Sequence, residues 1–315
     1  MRAEHGRRGG IRVAVPYLDD HPSSYVVRDL IRALVDIGIR PARIPRRVGT
    51  GLLRAGVRPP RSSRALIVTP MMGSRFDLLY AACLLGTPVP FCWDVWEPEW
   101  EAWGATLARV RPPLVVTTAS QSAEYLRDRL PGTRVEHLPE ATRLDRYSPG
   151  APLGDRKIDV LELGRRSPAW HDAVVGEAER SGVRHLYEPV PGQLVFAGEA
   201  EMLAGLADSK VSVCFPSSVT HPQRSGSVTT MTHRYLESIA SRCVVLGHAP
   251  EELTSLLGYD PVVPADPTDP WGQLHSVLDS ISTYQERVDE ARTRLLEVGG
   301  WATRANQLAA LVRGA

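Results

Sequence analysis

Tyr147-Ser-Pro-Gly-Ala-Pro-Leu-Gly-Asp155 is followed, after Arg156 and Lys157, by Ile158-Asp-Val-Leu-Glu-Leu163. The first stretch is rich in proline and glycine and has no hydrophobic period, so it reads as an interdomain linker. The second is a short apolar run, and with it an alternation of strand and helix patterns restarts. Upstream, strands are expected at 11–15, 65–68, 89–92, 114–117 and 135–138, with helices at 24–37, 77–85, 98–110 and 122–130. Downstream, strands are expected at 158–163, 195–197, 211–215, 244–246 and 261–263. Helices are expected at 170–180, 200–207, 232–241, 250–257, 271–281 and 284–298, with a last one at 302–312. Strand–helix alternation with continuous apolar strands implies α/β architecture, each sheet parallel and covered on both faces. The expected domains are 1–150 and 151–300, each doubly wound and Rossmann-like, with 301–315 as a closing helix. Two such domains facing across a cleft bind ligands outside the carboxyl ends of their strands.

The chain has 315 residues, of which 43% are hydrophobic and 23% charged. That composition argues against a wholly disordered, collagenous or membrane-embedded chain. Thirty-seven basic residues against 36 acidic ones leave a net charge of +1, which excludes a bulk polycation. Lysine occurs only at Lys157 and Lys210, so nearly every basic residue is arginine. Cys83, Cys92, Cys214 and Cys243 lie beside apolar residues and form no CxxC pair, as expected of buried free thiols in a reducing compartment. The first apolar run, Ile11 to Val15, stops at Pro16 and is too short for a signal peptide. A cytoplasmic protein is expected. GxGxxG, GxxxxGK[ST], HExxH and GxSxG are all absent, which counts against dehydrogenases, P-loop NTPases, zincins and α/β-hydrolases. Residues 38–76 hold nine arginines and no acid. Peripheral contact with the inner membrane face is an expectation for the 40–75 segment, against the alternative of a solvated face. No aromatics interleave it, so nucleic acid is not expected as a partner.

Three segments, in order, carry a resemblance. Val115-Val-Thr-Thr-Ala-Ser120 leads through a helix pattern to Val135-Glu-His-Leu-Pro139, with Asp145, Tyr147 and Pro149 beyond. Ile158-Asp-Val-Leu-Glu-Leu-Gly-Arg-Arg166 ends a strand in Gly-Arg. Met231-Thr-His-Arg-Tyr-Leu-Glu-Ser-Ile-Ala-Ser-Arg-Cys-Val-Val-Leu246 combines a helix and a strand, and Trp301 opens the last helix. Together they resemble the GT-B glycosyltransferases of the glycosyltransferase 4 type and the relatives of the spore-maturation protein CgeB. The resemblance implies a GT-B fold and transfer of a sugar from a nucleotide-diphosphate-sugar to an acceptor hydroxyl. It also implies retained anomeric configuration, no metal and no cofactor beyond the sugar-nucleotide co-substrate. By the same resemblance, Arg165 meets the donor diphosphate and Glu237 holds the ribose hydroxyls. Arg234, three residues before Glu237, matches the CgeB-like branch. A catalytically degenerate sugar-nucleotide-binding module and a nucleotide-sugar epimerase remain alternatives on the same fold.

The residues themselves add candidates. Departure of a diphosphate needs positive charge, so Arg165, with Arg166 as its alternate, is the first donor-binding candidate. Glu237 sits in an apolar helix and needs hydrogen-bond donors, either a ribose diol or Arg234. The loop 216–230 contains Ser225, Gly226, Thr229 and Thr230, small residues that let backbone approach a phosphate or sugar. Asp94 follows an apolar strand and is a candidate to accept or orient an acceptor proton, or else a helix cap. His21, in the turn after the first strand, is a candidate proton shuttle. Trp93, Trp96, Trp100 and Trp103 follow helical spacing and are expected to pack in the core, with an aromatic sugar platform as the alternative.

Overall fold

The computed structural model describes residues 10–16, 24–59, 65–190 and 192–315. It divides into two compact units, Met1–Pro139 with Trp301–Ala315, and Glu140–Gly300. The division falls between Pro139 and Glu140, earlier than the sequence boundary at 150/151.

Unit 1 contains β1 (Ile11–Val15), α1 (Ser24–Asp36), β2 (Arg40–Arg43), α2 (Arg46–Arg54), β3 (Leu66–Met72), α3 (Phe76–Cys83), β4 (Thr87–Trp93), α4 (Trp100–Val110), β5 (Leu114–Thr117), α5 (Ser120–Arg129) and β6 (Arg134–His137). Its six strands run in the order β2-β1-β3-β4-β5-β6. All pairs are parallel, with Val13 opposite Pro41 on one side and Val68 on the other. Sequence reading missed β2 and α2. β2 is Arg-Pro-Ala-Arg at a sheet edge with only Ala42 buried, so no apolar run announces it. Arg40, Arg43, Arg47, Arg54 and Arg58 are exposed, while Arg46 pairs with Asp77 at 2.7 Å. The tryptophan stripe is core. Trp93, Trp96 and Trp103 are buried, Phe76 meets Trp103 edge-on at 5.0 Å, and Trp100 stacks on Tyr125 at 4.6 Å.

Unit 2 contains β7 (Ile158–Leu161), α6 (Pro168–Arg180), β8 (His185–Leu186), α7 (Glu199–Ala207), β9 (Ser209–Cys214), α8 (Ser217–Thr220), α9 (Pro222–Ser225), α10 (His233–Ala240), β10 (Val244–Gly247), α11 (Glu251–Leu257), β11 (Val263–Pro264), α12 (Pro270–Asp279) and α13 (Gln285–Val298). Its five strands pair in parallel in the order β11-β10-β9-β7-β8. From β7 the chain goes out to β8 on one side, then returns to β9 on the other. The β7/β9 boundary is therefore the topological switch point of this sheet, where ligands bind in doubly wound folds. The strand expected at 195–197 does not form. Its Phe196 ring lies against Gly205 of α7, where an added Cβ would come within 2.2 Å of it. The apolar run is spent on packing, and β8 pairs instead.

The proline- and glycine-rich stretch 147–155 belongs to unit 2. Tyr147 and Leu153 are buried, and the buried Arg156 guanidinium donates to the carbonyls of Pro149, Ala151 and Ser209. The last helix, α14 (Trp301–Arg313), packs on α1 within unit 1. Its Trp301 meets Phe91 at 6.4 Å and Trp93 at 6.2 Å. All four cysteines are free and buried. Among the described residues, no helix is long and apolar enough to cross a membrane.

Candidate functional site

The switch point of unit 2 is built by two loops. After β7 the chain continues through Glu162 and Leu163 to Gly164, whose φ of +86° is a left-handed turn that favours glycine. The turn delivers Arg165 and Arg166 ahead of α6. After β9 the chain enters Pro216 and the short helix α8. Arg165 Nη1 donates to Ser217 Oγ at 2.7 Å, tying the two loops together across the switch point. Between them lies a pocket of about 470 Å³. Arg165, Arg166 and His171 line one part, Thr220 and His221 another, and Asp172 and Glu188 contribute carboxylates.

At the His221 end of the pocket the field is positive. The pKa of His221 is lowered by burial, and then by the charges of Arg165 and Arg224. The imidazole is thus a neutral group in a positive field, ready to accept a proton when that field is neutralised.

Behind this pocket stands a buried carboxylate that sequence reading passed over. Glu162 is 2% exposed. Its Oε1 lies 2.6 Å from His171 Nδ1 and 2.9 Å from His185 Nε2. Arg166 Nη1 is 3.2 Å from His171 Nε2, and its guanidinium sits 5.3 Å from the centre of the Tyr187 ring. The available signal was a second acidic residue, Glu162 after Asp159, within the strand run 158–163, where a buried carboxylate demands partners.

The other sequence candidates fall into three groups. Arg165 and Arg166 share the pocket. Ser225, Thr230, Arg234 and Glu237 do not line it. Their side chains are bonded within the fold. Ser225 Oγ donates to the His221 carbonyl at 3.1 Å, and Thr230 Oγ1 donates to Glu252 Oε2 at 2.6 Å. Glu237 is 0% exposed and accepts from Tyr147 at 3.0 Å and from Arg234 at 2.5 Å. Arg234, one of the donors considered for Glu237, is paired with it. Burial, followed by the adjacent Glu237 charge, pushes the Tyr147 hydroxyl well above its ordinary range. Thr229 Oγ1 is 2.8 Å from Ser218 Oγ, and Gly226 takes a φ of +59° after α9.

Beside Glu237, His233 Nε2 lies 3.0 Å from Glu140 Oε2. Burial disfavours its charged form, but the carboxylates of Glu140 and then Glu237 together outweigh this and raise its pKa.

Asp94 belongs to unit 1. It follows β4 with a φ of +56°, a left-handed conformation uncommon outside glycine though tolerated by aspartate. His21 lies outside the described residues.

No family model matches the chain, and no curated protein matches it. Solved structures do. Sucrose-phosphate synthase from Thermosynechococcus elongatus is 15% identical over 98% of this chain and 99% of that one, with a TM-score of 0.63. Anabaena Alr3699/HepE, in complex with UDP and glucose, is 11% identical over 98% of this chain and 100% of that one, with a TM-score of 0.61. A trehalose-6-phosphate synthase, studied for glycosyltransfer with retention, is 11% identical over 86% of this chain and 77% of that one, with a TM-score of 0.55. The chain therefore has the two-sheet α/β architecture of the GT-B glycosyltransferases.

Proposed function

We propose that this protein is a glycosyltransferase that moves a sugar from a UDP-sugar to an acceptor hydroxyl. The observation that carries the reading is the pair of arginines at the β7/β9 switch point, Arg165 tied to Ser217 and Arg166 beside it in the same pocket. A UDP leaving group builds negative charge on its β-phosphate as the glycosidic bond breaks. Fixed cations that meet that charge lower the barrier. In this reading Arg165 and Arg166 supply that charge, without a metal ion. HepE, which shares the fold, has been described with UDP and with UDP-glucose. That supports uridine as the base.

In this reading Ser225, Thr230 and Glu237 act from behind the site, holding the loop after β9 and the start of α10 in place. Asp94 orients the acceptor hydroxyl or takes its proton. Retention of configuration and membership of the glycosyltransferase 4 or CgeB-like type extend the same proposal. Arg234 three residues before Glu237 supports the latter. A sugar-nucleotide-binding module without transfer is the second reading. It is favoured by Glu237, each of whose oxygens already accepts a hydrogen bond within the fold.

The test is a thermal-shift screen of UDP, GDP, ADP, TDP and CDP, followed by UDP release from UDP-sugars over an acceptor panel. A ligand at 100 times its Kd stabilises by about 2.7 kcal/mol. The expected result is a shift with UDP that is lost in Arg165→Ala, and acceptor-dependent UDP release. A shift with release absent over the whole panel selects the binding module. No shift with any nucleotide overturns both readings.

A further inference from the structure

Arg166 is unusual among the buried and half-buried cations of unit 2. Arg156 is saturated by carbonyls, and Arg234 and Arg242 pair with Glu237 and Asp289. Arg166 instead meets a neutral acceptor, His171 Nε2, and the face of Tyr187. Among the described residues it has no carboxylate partner within ion-pair distance. Its positive charge is therefore fixed in place without a direct carboxylate contact among the described residues.

The hydrogen bonds define how it is fixed. A guanidinium only donates, so His171 Nε2 must accept. The proton of His171 is then on Nδ1, which donates to Glu162 Oε1 at 2.6 Å. His185 donates to the same oxygen from Nε2. Glu162 is held in turn by β7 and β8, because its backbone N–H bonds to the Leu186 carbonyl at 2.9 Å. The chain of contacts runs from the sheet to Glu162, to His171 in the first turn of α6, and to Arg166.

Glu162, His171 and His185 are spaced to surround a metal ion, with ligand atoms within 4.8 Å of one another. Their outer nitrogens decide against it. A metal-bound histidine presents its other ring N–H to an acceptor. Here His171 Nε2 faces a guanidinium donor, and His185 Nδ1 is buried with no hydrogen-bond partner. Binding a metal would turn both contacts unfavourable.

We propose that Glu162 and His171 are positioning residues that hold the Arg166 guanidinium in the pocket, so that Arg166 supplies a second cation to the pyrophosphate of a bound nucleotide. The inference builds on the donor-site reading above and adds the machinery that makes Arg166 part of it. A charge-assisted hydrogen bond to phosphate is stronger and more geometry-dependent than a neutral one, so loss of positioning lowers affinity rather than folding alone.

The test is a double-mutant cycle on the full chain. UDP affinity is measured by calorimetry, and uridine binding by ligand-observed NMR. The variants are Arg166→Ala, His171→Ala, His171→Gln and Arg166→Ala/His171→Ala, each checked by thermal melting. The expected result is that His171→Ala weakens UDP about tenfold, of the order of one charge-assisted hydrogen bond, and leaves uridine unchanged. His171→Gln keeps an acceptor for Arg166 and recovers most of the affinity. In the Arg166→Ala background His171→Ala has no further effect. An equal loss in both backgrounds, an equal loss for uridine, or no loss for His171→Ala overturns the proposal. If Arg166→Ala weakens UDP and His171→Ala does not, the positioning role alone falls. If UDP binds and neither Arg165→Ala nor Arg166→Ala matters, the donor-site reading falls with it.

Discussion

The chain ends β4 and β7 in opposite ways. β4 runs into Trp93, buried against Phe91 at 4.5 Å and Trp301 at 6.2 Å, and only then reaches one left-handed acid, Asp94. β7 runs into a buried carboxylate, a left-handed glycine and two arginines. Both are carboxyl ends of parallel strands, the usual place for function. At β4 the surroundings are aromatic, and Asp94 is the first charged residue past the strand. At β7 the surroundings are polar, and buried hydrogen bonds hold cations open to a pocket. Unit 1 thus invests its strand end in packing, and unit 2 in electrostatics.

The largest expected effect breaks the packing side. Trp103 is 0% exposed and meets Phe76 edge-on. Trp103→Ala is expected to destabilise unit 1 by about 4 kcal/mol, read by denaturant melting. A loss under about 1 kcal/mol would mean that the aromatic stripe is not the core of that unit.

The next effect probes unit 2 away from its pocket. Glu237→Ala leaves Arg234 and Tyr147 without their buried acceptor. It is expected to cost about 3 kcal/mol of stability. Full stability with weakened UDP binding would instead return Glu237 to direct ribose contact.

The smallest effect sharpens the electrostatic side. The pKa of His221 is held below its ordinary value by burial and by Arg165 and Arg224. A bound pyrophosphate neutralises that field, so the pKa rises on binding and a proton is taken up. UDP affinity should therefore rise as pH falls through the bound-state pKa. Set against His221→Gln, which removes this contribution, the gain between pH 8 and 6 should be about threefold, read by calorimetry. Identical pH profiles would place the phosphates away from His221.

Much of this contrast was legible in the residues. The short runs rich in Val, Ile and Leu at β1, β5, β7 and β10 marked a doubly wound chain, because strands buried on both faces are largely apolar. β2 was not legible, since an edge strand of Arg-Pro-Ala-Arg carries no such run. The run at 195–197 misled for the converse reason, as Phe196 packs on Gly205 without pairing. In the site, Arg165 and Arg166 were visible because a Gly-Arg-Arg turn closes an apolar strand. Glu162, His171 and His185 were not connected. They lie on three different elements, and only the β7–β8 register, with Val160 opposite His185, brings them to one point.

Everything proposed for unit 2 requires that its β7/β9 switch point hold a nucleotide diphosphate. A crystal structure of the protein with UDP tests it most directly. The expected result is a pyrophosphate within hydrogen-bond distance of both Arg165 and Arg166, beside the loop that carries Ser217 and His221. UDP bound elsewhere on the chain, with both guanidiniums left untouched, would contradict it.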